Sequence, residues 1–172
     1  MAGSRRIGDR RVAVTRWLAA IALLAFGAVG AALVSQHVFE MMPCPWCVLQ
    51  RVIFVAIGLV ALLGLAWRSA LGQRVAANLA LLLAACGVAA ALWQHFVAAA
   101  SASCNQTLAD RIVGWLHLDS ALPEAFAAYA NCADAKVNLF GLPYEFWSLA
   151  LFVVLGLAAW RLLRAGLSAG PR

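Results

Sequence analysis

Charge is what this sequence has least of. Only 12% of its 172 residues are charged, seven of them acidic, while 65% are hydrophobic and mean hydropathy is +0.88. A soluble domain needs far more polar surface, so the composition excludes one and puts the chain in lipid. Internal repeats are also absent, as is any low-complexity tract beyond richness in Ala and Leu. Repeat architectures are thereby set aside.

The shortage of charge is sharpest in four stretches. Residues 17–34, 52–67 and 75–94 carry none, although Asn78 lies inside the third; 144–163 holds Glu145 and Arg161 near its ends. Each is close to the ~20 residues that cross ~30 Å of hydrocarbon as a helix, the second and fourth with help from snorkelling arginines. Backbone groups in lipid must bond internally, so these are helices. The fold expected is an all-α membrane protein, a four-transmembrane-helix bundle forming a single integral-membrane domain over 1–172. Its spans lie near 17–34, 48–67, 75–95 and 144–163, with loops near 35–47 and 98–143 on one face.

The few charges set the orientation. Arg5, Arg6, Arg10, Arg11 and Arg16 precede the first span, Arg68 and Arg74 join the second to the third, and Arg161, Arg164 and Arg172 end the chain. That face is cytoplasmic by the positive-inside rule, with both termini there. The opposite face holds only Arg51, Arg111 and Lys136 but six of the seven acidic residues. The net charge of +6 therefore records topology and is no nucleic-acid footprint. The first span has an Arg-rich lead like a signal peptide, but its length and the three spans that follow favour an uncleaved anchor.

The loop near 98–143 is long enough to present a surface to another protein. Leu108, Ile112, Trp115 and Leu116 recur in it at helical spacing, with Asp110, Arg111 and Asp119 interleaved. That pattern suits a short amphipathic helix, lying on the membrane surface or packed on the bundle ends. Gly141 and Pro143 punctuate the entry to the fourth span.

Four of the five cysteines fall on the outer side, where disulfides persist. Cys44 and Cys47 form a Cys-Pro-Trp-Cys motif at the mouth of the second span; Cys104 and Cys132 lie in the long loop. Four cysteines allow three connectivities, and the short spacing favours Cys44–Cys47, leaving Cys104–Cys132. A bridge as short as Cys44–Cys47 constrains little of the unfolded chain, so redox work is the better reason for it. A helix start places backbone N–H groups beside its sulfur, which favours thiolate, and Pro45 suits that position. Arg51 follows four residues after Cys47 and seven after Cys44, on one helical face. Its charge can hold a thiolate or a reduced quinone oxygen, or it can simply snorkel. A zinc site and a purely structural Cys104–Cys132 bridge are the competing readings. Cys86, alone in the third span, reads as an inert buried small residue.

His37 and His95 lie near the outer span ends. Either could hydrogen-bond a quinone carbonyl, and His95 could hand over a proton on quinone reduction; for His37 an interfacial role is preferred. His117 belongs to the loop surface. Trp17, Trp67, Trp93, Trp147 and Trp160 read as the aromatic belt.

These residues together resemble the bacterial DsbB family of disulfide bond formation proteins. The likeness runs through Gln36-His37-Val38, Pro43-Cys44-Pro45-Trp46-Cys47, Arg51, His95, Cys104 and Cys132. It continues through Trp115-Leu116, Leu118-Asp119 and Phe140-Gly141-Leu142, and so covers nearly the whole chain. The resemblance implies an inner-membrane protein-dithiol:quinone oxidoreductase that reoxidises a DsbA-like periplasmic thiol oxidase. It makes Cys44, Cys47, Cys104 and Cys132 catalytic and puts Arg51, His95 and Cys47 at the quinone, ubiquinone being favoured over menaquinone. The partner thiolate attacks Cys104, Cys132 exchanges onto Cys44, and Cys47 becomes the thiolate facing the quinone. Such a partner is a strong oxidant, near about −120 mV against about −270 mV for an ordinary thioredoxin-like pair. At ~1.4 kcal/mol per ~30 mV, that ordinary pair would be ~7 kcal/mol too stable as a disulfide. Two departures stand out: Pro45-Trp46 lies between the first cysteines, and Gln50 occupies a position where an acidic residue is familiar. Vitamin K epoxide reductase-like proteins share the chemistry, but their active Cys-x-x-Cys follows the loop cysteines instead of preceding them. A non-enzymatic membrane protein with a structural disulfide or metal site is the reading from outside enzymes.

Overall fold

The computed structural model describes residues 2–67, 69–100, 106–135 and 137–167. Four long helices dominate it: α1 (Ala2–Val38), α2 (Pro45–Ala66), α3 (Ala70–Phe96) and α7 (Tyr144–Leu167). All four are long and apolar enough to cross a membrane. Between α3 and α7 lie a 3-10 turn (Ala98–Ala100), three short helices α4 (Leu108–Trp115), α5 (Leu118–Ala121) and α6 (Pro123–Phe126), and a hairpin of β1 (Asn138–Leu139) and β2 (Leu142–Pro143). The all-α membrane bundle read from the apolar runs is the fold observed.

Helix ends depart from the expected spans, and the caps explain where. α1 runs on to Val38, which carries Ser35, Gln36 and His37 into helix, not loop. α2 starts at Pro45, with Cys44 as N-cap: the cysteine sulfur accepts the Cys47 N–H at 3.3 Å, and proline fills the first helical position. Cys47 thus belongs to the first turn of a helix, and the loop before it shrinks to residues 39–44. α3 starts under Ser69, whose side chain accepts the Gly72 N–H at 3.1 Å.

α3 packs between α2 and α7, and α1 lies mainly against α2. The buried face of α3 is Ala76, Ala77, Ala80, Ala84, Gly87, Ala90 and Ala91, ending in Gln94. Lipid offers no hydrophobic drive between helices, so small residues that let backbones approach are the device that packs them. Gly87 is the tightest case: a Cβ there would meet the Phe152 ring at 2.4 Å. That close approach lets Phe152 stack on Phe54 with ring centroids 3.9 Å apart, joining α7 to α2 beneath α3. Cys86 precedes Gly87 on the helix and is rotated out of this seam. It is exposed, on an open groove with Leu49 and Ile53 of α2, so the expectation of a buried residue is corrected.

The long loop folds back over the outer end of the bundle. α4 opens with a capping box in which Thr107 and Asp110 exchange side-chain-to-backbone bonds. Ala109 and Val113 are buried, Val113 packing with Phe126 of α6 on Val48 of α2, while Leu108, Ile112, Trp115 and Leu116 face outward. Packing on the bundle and an outward apolar stripe therefore coexist on one short helix. Farther on, the Pro43 carbonyl accepts both the Tyr129 N–H (3.0 Å) and the Ala130 N–H (3.4 Å), tying the long loop to the short one. The hairpin turns at Phe140 and Gly141, both at positive φ (53° and 82°), the pair of angles a two-residue turn requires.

Candidate active site

Three thiols meet at the outer end of α2. Cys44 is fully buried, and its sulfur lies 2.8 Å from that of Cys47. Cys132 approaches Cys44 from the long loop and is itself buried. Hydrogen bonding with Cys132 and with Cys47, and then burial, push the Cys44 thiol far above the ordinary thiol range. The same hydrogen bond pulls the Cys132 thiol below its ordinary value, helped by a backbone N–H at Trp46 and opposed by burial. Cys44 is thus the protonated centre of the cluster, and Cys132 the outer thiol biased toward thiolate. Cys104 lies outside the described residues.

Below the thiols a cavity of about 140 Å³ opens between α1, α2, α3 and α7. Cys47, Arg51 and Phe54 line it from α2, Ala28 and Ser35 from α1, and Tyr144, Glu145, Ser148 and Leu151 from α7. Cys47 is half-buried and is the cysteine among the lining residues, so the thiol cluster and the cavity share that one sulfur. Cys132 instead lines a wider cleft on the outer face, beside Pro45, Thr107, Asp110 and Tyr129.

Arg51 does not snorkel. It is buried (6% exposed), donating to Gln36 Oε1 at 2.6 Å, Ala125 O at 2.9 Å and Ala32 O at 3.3 Å. All three acceptors are neutral, so its charge reaches into the cavity uncancelled by a carboxylate bond. The guanidinium carries five N–H donors and three bonds are accounted for, which leaves capacity for an oxygen in the cavity. A flat ring with carbonyl oxygens at its edge fits this donor set and the apolar wall of Phe54 and Leu151.

His95 stands one step back. It is not among the residues lining the cavity; its Nδ1 lies 2.8 Å from Glu145 Oε1, and Glu145 does line it. The His95 ring also packs against Phe96 and Phe146. His37 is exposed at the end of α1.

Gln94, which sequence reasoning misses, and Gln50, which stands out there only as a departure from the family pattern, sit closest to the sulfurs. Gln94 Nε2 donates to Cys47 Sγ at 3.3 Å, and Gln50 Nε2 donates to Gln94 Oε1 at 2.7 Å. The available signal was position: Gln94 falls on the same face as Ala80, Ala84, Gly87 and Ala91, whereas His95 is rotated by one residue. Gln36, part of the motif that carries the family resemblance, holds Arg51. Trp46, between the cysteines, is buried and packs near Trp93, with centroids 6.2 Å apart.

Comparison with known proteins agrees with this arrangement. The family model described as disulfide bond formation protein DsbB matches residues 14–162. A disulfide bond formation protein B of Herminiimonas arsenicoxydans is 33% identical over 141 residues, 81% of this chain and 89% of the relative. That of Verminephrobacter eiseniae is 36% identical over 162 residues, covering 91% and 87%. That of Dechloromonas aromatica is 30% identical over 159 residues, covering 89% and 93%. With its motif cysteines beside a lined cavity in a four-helix membrane bundle, this chain belongs to the DsbB family, oxidoreductases of disulfide bond formation.

Proposed function

We propose that this protein reoxidises a DsbA-like periplasmic dithiol oxidase and passes the electrons, through Cys104/Cys132 and then Cys44/Cys47, to a membrane quinone. The observation that carries the reading is the contiguous line of sulfurs Cys132, Cys44 and Cys47, leading from the outer cleft to the cavity between the helices. It works in the bacterial inner membrane with both termini cytoplasmic, the arrangement the arginine distribution favours.

The exchange balances as follows. A partner thiolate attacks Cys104 of a Cys104–Cys132 disulfide, forming a mixed disulfide and freeing the Cys132 thiolate. Cys132 then attacks Cys44 of the Cys44–Cys47 disulfide, and Cys47 leaves as thiolate. The partner's second thiolate displaces Cys104 and departs as disulfide. The chain now holds one disulfide, Cys44–Cys132, with Cys47 and Cys104 reduced. A quinone bound in the cavity, ubiquinone ahead of menaquinone, supplies the sink for two electrons and two protons. Restoring both original disulfides releases that number of each.

The chain's own residues prepare each end of this path. Cys44, kept protonated in the reduced cluster, is a poor thiolate, so Cys47 is the better leaving group of that pair; Cys132 is the readier nucleophile. Arg51 holds negative charge at Cys47 or at an oxygen in the cavity. Glu145, with His95 behind it, is the titratable pair placed to move a proton at the cavity wall.

The test is turnover by the purified protein with added quinone and a reduced periplasmic dithiol oxidase. Ser at any of Cys44, Cys47, Cys104 or Cys132 should abolish it. Full quinone reduction by the Cys47→Ser variant would sink the proposal.

A further inference from the structure

The two buried glutamines form a directional relay onto the sulfur nearest the cavity. Gln50 and Gln94 are 3% and 7% exposed, and an amide buried among apolar helices is costly unless bonded. On the inward seam of α3 every other residue is Ala or Gly. A side chain breaking that pattern at the level of Cys47 has work to do there, as polar groups within membrane spans generally do.

A carboxamide offers a donor on one side and an acceptor on the other. Gln50 occupies the Gln94 carbonyl (2.7 Å), so the Gln94 N–H₂ is the side turned to Cys47 Sγ (3.3 Å). A donor aimed at sulfur favours thiolate over thiol. Arg51 acts differently: its bonds run to Gln36, Ala125 and Ala32, and it acts on Cys47 by charge through space. An amide pair also does not titrate, so the donor persists whatever the pH.

We propose that Gln94 is a catalytic residue that holds Cys47 as thiolate through a direct N–H···S bond, and that Gln50 is the positioning residue that fixes Gln94 in its donating orientation. The proposal rests on the reading of Cys47 as the thiol that meets the electron acceptor. Other titratable or charged groups facing Cys47 are Cys44 at the N-cap of α2, Arg51 on α2, Cys132 from the long loop, and Tyr144 and Glu145 from α7. The α1 lining is uncharged, as at Ala28 and Ser35, and the substitutions below leave all of these in place.

The experiment follows iodoacetamide alkylation of the fully reduced, full-length protein against pH, with peptide fragmentation separating Cys47 from Cys44. Neither quinone nor partner is present, so the outcome is independent of whether the chain turns over as an oxidase. Q94L should lower the Cys47 thiolate fraction at neutral pH by roughly tenfold or more, the effect of one lost bond to a charged group. Q94E keeps the shape of glutamine and so tests the same point without a packing defect; it should move Cys47 the same way. Q50L should give a smaller shift in that direction. An unmoved Cys47 profile in both Gln94 variants would overturn the proposal, and an unmoved profile in Q50L would remove Gln50 from it.

Discussion

Arg51 and Gln36 are locked to one another from both sides. Arg51 Nη1 donates to Gln36 Oε1 at 2.6 Å, while Gln36 Nε2 donates to the Glu124 carbonyl at 3.0 Å. Arg51 also donates to the Ala125 carbonyl next along, so α1, α2 and α6 close one ring of hydrogen bonds around a buried charge. Cutting that ring should cost more than an ordinary bond. Gln36→Leu is expected to lower stability by about 1–3 kcal/mol, since it leaves a buried guanidinium donor unmet. Thermal unfolding in detergent measures it, and a change within error would show the ring to be dispensable.

Arg51→Lys keeps the charge but not the fork. An ammonium cannot reach three acceptors in the guanidinium's plane, so the substitution should behave as a loss, not as a conservative change. Quinone KM should rise by about an order of magnitude while thiol exchange with the partner persists. Unchanged KM would place the acceptor away from Arg51.

The cysteine cluster predicts an order of reactivity. In the reduced protein Cys132 should begin to alkylate at a lower pH than an ordinary thiol, because the Cys44 hydrogen bond favours its thiolate. Cys44 should begin only at a higher pH, because its proton is held by two sulfurs and by burial. The sign carries over to stability. Cys132 contributes stability that is present above its unfolded value near 9.0 and lost as pH falls through its lowered folded value. Cys44 does the reverse, its contribution present below 9.0 and lost as pH rises. Cys44 reacting before Cys132 would contradict the hydrogen-bond direction.

Gly87 is expected to tolerate no side chain. With Phe152 carbons 2.4 Å from where a Cβ would sit, Gly87→Ala must part α3 from α7 or unstack Phe152 from Phe54. A loss of about 1–3 kcal/mol follows from overpacking, and Phe152→Leu in the same chain should recover part of it. Thermal melts of the single and double variants decide the matter.

Glu145→Gln keeps a polar partner for His95 but removes the acid from the cavity wall. Quinone reduction should slow by roughly a hundredfold, the lower end of what general acid–base groups supply, with exchange between the cysteine pairs unaffected. Single-turnover mixing of the reduced protein with quinone separates the two steps; an unslowed quinone step would release Glu145 from proton transfer.

Helix number was legible because lipid enforces it: an uncharged run of such length has no other stable form than a span. Helix ends were not, since Cys44 caps α2 through sulfur, a residue type outside the usual capping set. The same principle was usable at Thr107 and Asp110, where a familiar capping box opens α4. At the site, motif cysteines and Arg51 stand out by chemistry, but Gln94 differs from its neighbour His95 only by 100° of helix rotation. Backbone contacts leave no side-chain signature at all, and the tie between the loops is of that kind.

That tie, the Pro43 carbonyl holding the amides of Tyr129 and Ala130, bears on rate. Pro43 immediately precedes Cys44, and Ala130 stands two residues before Cys132, so the clip fixes both reacting sulfurs to the same short piece of backbone. A free loop of this length would have to search for its target after each encounter with a partner protein. For the proposed exchange this means the search is finished before a partner would arrive, with the effective molarity of one sulfur toward the other set by folding. In the proposed exchange, hand-over inside the protein is expected to keep pace with docking, so that diffusion of the partner and of the membrane acceptor would set the tempo.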